Sequence, residues 1–516
     1  MTTLVCNLVE WLEKSAVRYA DCTAVEGSRG ILTFSELREK ALHIAQIINQ
    51  HVTGKNNPIA IYLSKDVSFV FSMFGVLYSG NFYIPCDSRG PLLRTERILK
   101  QTGASVIITD TVGYRSLSHI NIENSTIINL DDAFLQHQLT TVSSYDFSTN
   151  LAAVIDTDPA FVLFTSGSTG DPKGVIISHA RVIEYISWAV DYFGVTHNDV
   201  LGNQAPFFFT VSVMDLYLSM AVGAKICLIP EKLFSAPPKL VDYMTQHEIT
   251  QIFWVPTAYA GVSKSDALSE KPVASLKRAL FVGEPMNPAV LNYWLSKQPE
   301  TKYYNLYGST ELDMVTCYPI SASSVPQGQP VPVGRPRRNV EIQIVDEDNK
   351  LLKAGIGEMI VSGRCLSSGY WNHEEDDRFQ DYMFSGHLKQ RFFRTGDLAE
   401  WDSEGNIVLH GRKDHQFKRM GYRIEANEIE AAANESGLLQ SACALFDDST
   451  QNLFLIYCAE NSMVERQLLM FLVRRLPGYM LPSHFVFVEK MPYTQNGKLD
   501  RVSLKNKYLG DHTNEH

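Results

Sequence analysis

Cysteine is scarce: the chain has eight, at positions 6, 22, 86, 227, 317, 365, 443 and 458, and no two of them form a CxxC pair. That scatter argues against a zinc-binding pattern and against a disulfide framework, and leaves reduced, mostly buried thiols as the expectation. Long apolar runs are also missing. No stretch approaches the roughly 20 apolar residues of a membrane span, and residues 1–6 lack the basic start and apolar core of a signal peptide. A cytoplasmic protein without membrane insertion follows as the expectation. Neither sign of charge gathers into blocks, and the formal net charge is -11, which gives no electrostatic support to a nucleic-acid partner. Internal repeats and low-complexity segments are absent as well.

What is present is an ordinary globular balance, with 45% hydrophobic and 20% charged residues over 516 positions. That length exceeds what one core organises, so two domains or a large domain of subdomains are expected. Through the first four-fifths, short apolar runs such as "NPIAIYLS", "GNFYIPCD", "ASVIITD", "KICLIP" and "QIFWVP" alternate with helical patterns over Phe69 to Ser79, Val182 to Phe193 and Leu240 to His247. The alternation predicts an α/β architecture with mostly parallel or mixed sheets. Further on the texture shifts to short strands joined by Gly and Asp turns, followed by a helix from about Ala426. A small second domain is expected to begin near Asp414.

The strongest local signal is "FVLFTSGSTGDPKG", Phe161 to Gly174. An apolar strand opens into Thr165, Ser166, Gly167, Ser168, Thr169 and Gly170, and Lys173 follows. Small residues let backbone N–H groups close around phosphate oxygens, hydroxyls add donors, and the lysine adds a mobile positive charge. Gly174 stands where the kinase and GTPase loop has the Ser or Thr that binds magnesium, so this is a different phosphate loop.

"TSGSTGDPKG" is similar to the signature loop of the adenylate-forming superfamily of acyl-CoA synthetases, luciferases and peptide-synthetase adenylation domains. Further matching segments occur in the family's order: "LTFSEL", "SGNFYIPCD", "NLYGSTE" from Asn305, "GEMIVSG" from Gly357, "RTGDLAEWDSEGNIVLHGRKDHQFKRMGYRIEANEIE" from Arg394 and "NGKLDR" from Asn496. The resemblance implies an α/β fold with a large N-terminal domain of mixed sheets flanked by helices, residues 1–413. A small C-terminal α+β lid, residues 414–516, would be joined to it by a hinge at Asp414. It implies ATP and Mg2+, with Glu311 holding the metal and Thr310 touching the α-phosphate. Asn305 and Tyr307 would meet the adenine, with Gly283 and Glu284 passing the same ring. Asp397 would accept the ribose hydroxyls and Arg412 would lie beside them. Lys498 would reach the substrate carboxylate during adenylation.

Family correspondence also puts an acyl pocket at Thr210, Val211, Met214, Phe253, Leu280, Val282, Leu306, Met314 and Val315. Relatives that activate α-amino acids mostly carry aspartate where Thr210 stands. Either the acid has no α-amine, or the ammonium is held by Thr210, main-chain carbonyls and another carboxylate such as Asp313. "APFFFTVSVMDLY" resembles the stand-alone D-alanine–carrier protein ligases, and the bulky pocket points to glycine first and alanine next, as in the glycine–carrier protein ligases of lipid A modification. That resemblance implies transfer of the aminoacyl group to the phosphopantetheine thiol of a separate acyl carrier protein, since no "GGxS" segment occurs in the chain. The alternative is an acyl-CoA synthetase, or an adenylating enzyme for a small hydroxy, keto or plain carboxylic acid.

Overall fold

The structure, a computed structural model, describes residues 5–122, 125–133, 146–167, 171–321, 330–372, 376–384, 388–460, 464–493 and 499–509. Its chain contacts divide it into two compact units. One comprises Met1–Ser88, Leu99–Phe164 and Gly174–Lys413; the other comprises Arg89–Ile98, Thr165–Lys173 and Asp414–His516.

The first unit is built on a nine-stranded sheet and most of a six-stranded one, with a five-stranded sheet in its last third. The nine-stranded sheet runs, in spatial order, Arg335–Pro336, Asp313–Ile320, Lys302–Ser309, Arg278–Val282, Gln251–Trp254, Val200–Asn203, Lys225–Leu228, Thr23–Gly27 and Gly30–Thr33. Its inner pairs are parallel, and antiparallel pairs close both ends. The apolar runs of the sequence become these strands and those of the six-stranded sheet. Phe82–Pro85 and Val106–Thr109 are buried at every position, as strands covered on both faces must be.

Helix ends follow local capping chemistry. The helix expected from Val182 begins at His179, because Ser178 accepts a hydrogen bond from the Arg181 N–H at 3.4 Å, and it ends at Gly194, whose φ of 62° reverses the chain. The helix expected from Phe69 runs Val67–Tyr78, capped by Asp66, and is buried almost all round. Pro237 opens the helix Pro237–Gln246, three residues ahead of the expected start.

His179, on the first turn of its helix, is 2% exposed and accepts the Leu8 N–H at Nδ1, 3.2 Å away. Burial pushes its pKa down to about 4, with Asp158 acting weakly in the other direction. The unfolded chain therefore binds the extra proton first as pH falls. The stability supplied by neutral His179 is complete above about pH 6.5 and is lost as pH drops toward 4. Relative to His179→Gln, which cannot protonate, the native chain should lose about 2 kcal/mol between pH 7 and pH 5. Urea titrations of the two proteins at both pH values measure this; an unchanged difference would contradict it.

In the second unit the strands Gln416–Arg419 and Tyr422–Glu425 form a hairpin whose turn has positive φ at Met420 and Gly421. Tyr422 stacks on Tyr479 at 3.7 Å. A three-stranded sheet of Ser441–Asp447, Asn452–Cys458 and His484–Phe487 carries the helices Ala426–Asn434 and Glu465–Val473 around a core that includes Ile429, Leu453, Leu468 and Leu472. The helix expected from about Ala426 therefore starts there. Within this unit Arg94 reaches Glu428 at 2.5 Å, with both side chains largely buried.

Candidate functional site

The sequence-predicted residues divide between the two units. In the first, neighbouring strands bring the apolar pocket set together. Phe253 pairs in register with Leu280, and Val282 with Leu306; Val211, Met214 and Met314 join the same buried cluster. Val315 faces a different cluster, shared with Tyr307. Phe253, Val282 and Leu306 lie at or near the C-terminal ends of parallel strands, where open α/β sheets place ligands.

Thr210, 5% exposed, precedes the helix Ser212–Val222 and donates its hydroxyl to that of Thr310 at 3.0 Å. Thr310 sits in the turn between Lys302–Ser309 and Asp313–Ile320. Two buried arginines hold this turn and the strand after it. Arg181 donates Nη2 to the Thr310 carbonyl at 2.7 Å and Nε to Asp313 Oδ2 at 2.8 Å. Arg337 donates Nε to the Met314 carbonyl at 2.6 Å and pairs through Nη1 with Glu184. Asp313, fully buried, is thus engaged by a guanidinium; burial raises its pKa while Arg181 and Arg337 oppose the rise.

Glu311, next to Thr310, is 1% exposed; Oε1 accepts the Tyr370 hydroxyl at 2.8 Å, and Arg378 approaches the same oxygen at 3.8 Å. Arg378 also donates to the Tyr370 hydroxyl at 2.6 Å. A single buried, oriented carboxylate of this kind fits Mg2+, a hard cation commonly held by one or two carboxylates together with substrate phosphates.

Asp397 brings together two of the residues expected at the nucleoside, Tyr307 and Arg412. Its Oδ2 accepts the Tyr307 hydroxyl, and its Oδ1 accepts Arg412 Nη1 at 2.6 Å, across a register in which Asp397 and Arg412 are partners. Burial first, then the Asp397 charge, pushes the Tyr307 phenol well above its usual range. Asn305 donates its side-chain amide to the Pro332 carbonyl at 2.8 Å. Gly283 turns with φ 96° just past the strand Arg278–Val282, and Glu284 accepts from Thr257.

In the second unit, Thr165 donates to the Lys173 carbonyl at 3.4 Å and Ser166 to the Arg423 carbonyl at 2.8 Å. A Cβ on Gly167 would lie 1.9 Å from the Asp171 carbonyl oxygen, so this turn of the loop admits only glycine. Lys173 begins the strand Lys173–Ser178. Asp414 accepts the Gln416 N–H at 3.3 Å. Ser168, Thr169, Gly170 and Lys498 lie outside the described residues.

Sequence reasoning missed Arg181, Arg337, Tyr370 and Arg378. One signal was available: Arg181 interrupts the apolar face of a helix, and a buried arginine needs a partner.

A model described as AMP-binding enzyme matches residues 12–371. Zwittermicin A synthase ZmaJ of Bacillus cereus is 32% identical to the chain over 519 residues, which span 98% of this chain and 95% of that protein. The chain belongs to the AMP-binding enzyme family. Tyrocidine synthase 3 of Brevibacillus parabrevis is 31% identical over 97% of the chain, which corresponds to 8% of that much longer protein. Among solved structures, the Vibrio cholerae adenylation domain AlmE in complex with glycyl-adenosine-5'-phosphate superposes with a TM-score of 0.84 at 21% identity, covering 99% of both chains. At that identity the likeness is one of fold. AMP-binding enzymes are ATP-dependent adenylating ligases, and the mixed α/β fold of this chain is the one seen in the solved adenylation domains. No helix among the described residues is long and apolar enough to cross a membrane.

Proposed function

We propose that this AMP-binding enzyme activates a small amino acid, glycine before alanine, as its aminoacyl-adenylate with release of pyrophosphate, and then transfers it to the phosphopantetheine thiol of a separate carrier protein. The observation that carries the reading is the buried gathering of Phe253, Met214, Leu306 and Met314 in one apolar cluster. In this reading those bulky side chains would fill the space where a substrate side chain would lie, leaving room only for glycine or alanine. The glycyl-adenylate held by AlmE, whose fold this chain shares, is consistent with it.

Each residue then has a task. Asp397 has two oxygens for a vicinal diol, and Tyr307 and Arg412 orient them. Because the Asn305 amide already donates to main-chain carbonyls, its carbonyl oxygen is the group to accept from an adenine amino group. The loop from Thr165 to Lys173 would hold the triphosphate. Glu311 would hold Mg2+, which when bound neutralises phosphate charge and favours departure of pyrophosphate. Lys498 would steady the attacking carboxylate, and residues 414–516 would turn about Asp414 between the two half-reactions. The setting is the cytoplasm.

Asp313 is not the second amine ligand in this scheme, because Arg181 already pairs with it away from solvent. Main-chain carbonyls and Thr210 would take the ammonium. Exchange of labelled pyrophosphate into ATP across a panel of small acids tests the whole proposal. Glycine should give the highest kcat/KM, about 10- to 100-fold above alanine, close to what an apolar pocket can impose for one methyl group. Phe253→Ala should narrow the gap by improving alanine. Strong exchange with lactate, acetate or a keto acid and none with glycine would favour the second reading, an adenylating enzyme for an acid without an α-amine. The absence of a carboxylate at Thr210 is the one observation in that reading's favour. Thr210→Asp separates the two, since it should be tolerated by an amino-acid enzyme and harmful to the other.

A further inference from the structure

Away from the residues described above, Cys227 sits in the strand Lys225–Leu228, pairs in parallel register with Glu26 of Thr23–Gly27, and is fully buried. His247, which caps the helix Pro237–Gln246, lies over the same spot. The Cys227 Sγ, a carboxylate oxygen of Glu26 and an imidazole nitrogen of His247 all lie within 4.8 Å of one another. The spacing of cysteines along the chain gave no hint of this, because the three residues come from three elements spread over more than two hundred positions.

We propose that Glu26, Cys227 and His247 form a structural site for a thiophilic divalent cation of the zinc class. One sulfur, one imidazole nitrogen and one carboxylate oxygen are the donor types zinc accepts, and three protein ligands leave a fourth position for water. Part of the surroundings supplies the outer interactions such a site needs. Lys225 pairs with Glu26 Oε2, while the 3.1 Å contact between Glu26 Oε1 and His247 Nδ1 is one between two ligands that a cation would replace. The Tyr243 hydroxyl is 3.2 Å from the Cys227 Sγ, and the Tyr243 ring packs on that of His247 at 4.0 Å, which fixes the imidazole plane. Access is available from one side, because the Glu26 and His247 side chains are 16% and 17% exposed while the thiol is closed off.

Binding replaces the thiol proton with the cation and releases that proton to solvent. Because the thiolate is the ligand, affinity should climb with pH as the proton becomes easier to displace. The Lys225 ammonium works against the cation and keeps the affinity below that of all-cysteine sites. Once bound, the metal ties the N-terminal hairpin strand to the neighbouring strand and to the end of a helix.

Titration of the full chain, purified without a polyhistidine tag, with Co2+ provides the test. A thiolate-to-cobalt charge-transfer band should grow in the near ultraviolet and saturate at about one metal per chain. Mg2+ at the catalytic centre gives no such band, so the result stands apart from the amino-acid activation proposed above. The band should vanish in Cys227→Ser, weaken in His247→Gln, which is a partly exposed position and tolerant of change, and persist in the double variant Cys6→Ser, Cys22→Ser, which removes the exposed thiols. Zn2+ should raise the melting temperature of the native chain by several degrees and that of His247→Gln by less. Absence of the band at excess Co2+, or its survival in Cys227→Ser, overturns the site.

Discussion

Lys498→Ala should slow pyrophosphate exchange by about 100-fold or more while leaving transfer from supplied aminoacyl-adenylate to a carrier thiol nearly intact. The expectation follows from the proposed division of labour. Adenylation needs a cation where the substrate carboxylate meets the α-phosphate, and a charge-assisted contact made in the transition state is worth about 3 kcal/mol. Thiol transfer breaks the mixed anhydride after that charge has been dealt with, so the lysine has no comparable task there. Its setting, "NGKLD", lies within residues 414–516, the part proposed to turn about Asp414 between half-reactions. Separate rate measurements of the two half-reactions on one variant give the answer. Equal loss in both would mean that Lys498 supports the fold of its surroundings.

The candidate site could be proposed from the sequence because its parts lie in short local runs. A phosphate loop needs small residues in one short run, and Gly167, with no room for a Cβ beside Asp171, shows the physical reason for one of them. Parallel strands such as Val106–Thr109 announce themselves as short β-branched runs bounded by turn residues. What the sequence did not show were partnerships across long separations. Arg181 and Asp313 are 132 positions apart, and Arg337 and Glu184 are 153 apart. No periodicity reports such pairs: the helix face hints that Arg181 is buried, but nothing local names its partner. The same limit hid the role of the Tyr307 hydroxyl. Family pattern would place the ring beside adenine, and the phenol's hydrogen bond to Asp397, which also pairs with Arg412, appears only in the folded chain. Two segments of the N-terminal part, Arg89–Ile98 and Thr165–Lys173, group with Asp414–His516 for a like reason: contacts such as Arg94 to Glu428 join residues 334 positions apart.

The buried arginine of that network gives the second large effect. Asp313→Asn should cost about 3 kcal/mol of stability, and Arg181→Met should cost less, although either change breaks the same pair. The asymmetry comes from proton chemistry. With Asp313 neutralised, Arg181 remains charged and 2% exposed, and a guanidinium cannot shed its proton. With Arg181 gone, Asp313 can take up a proton, and burial already pushes its pKa in that direction. Asparagine is the right replacement because residue 313 has a φ of 53°, a left-handed conformation that Asn, like Asp, tolerates better than most residues. Denaturant midpoints of the two variants decide the order. Catalysis should run the opposite way to stability: Arg181→Met also removes the donor to the Thr310 carbonyl, and Thr310 in turn accepts from Thr210. Under conditions where both variants are folded, Arg181→Met should therefore lose more in kcat/KM for glycine than Asp313→Asn. If Arg181→Met proves both the less stable and the less active variant, the hydrogen bond to Thr310, rather than the buried charge, is the main work of Arg181.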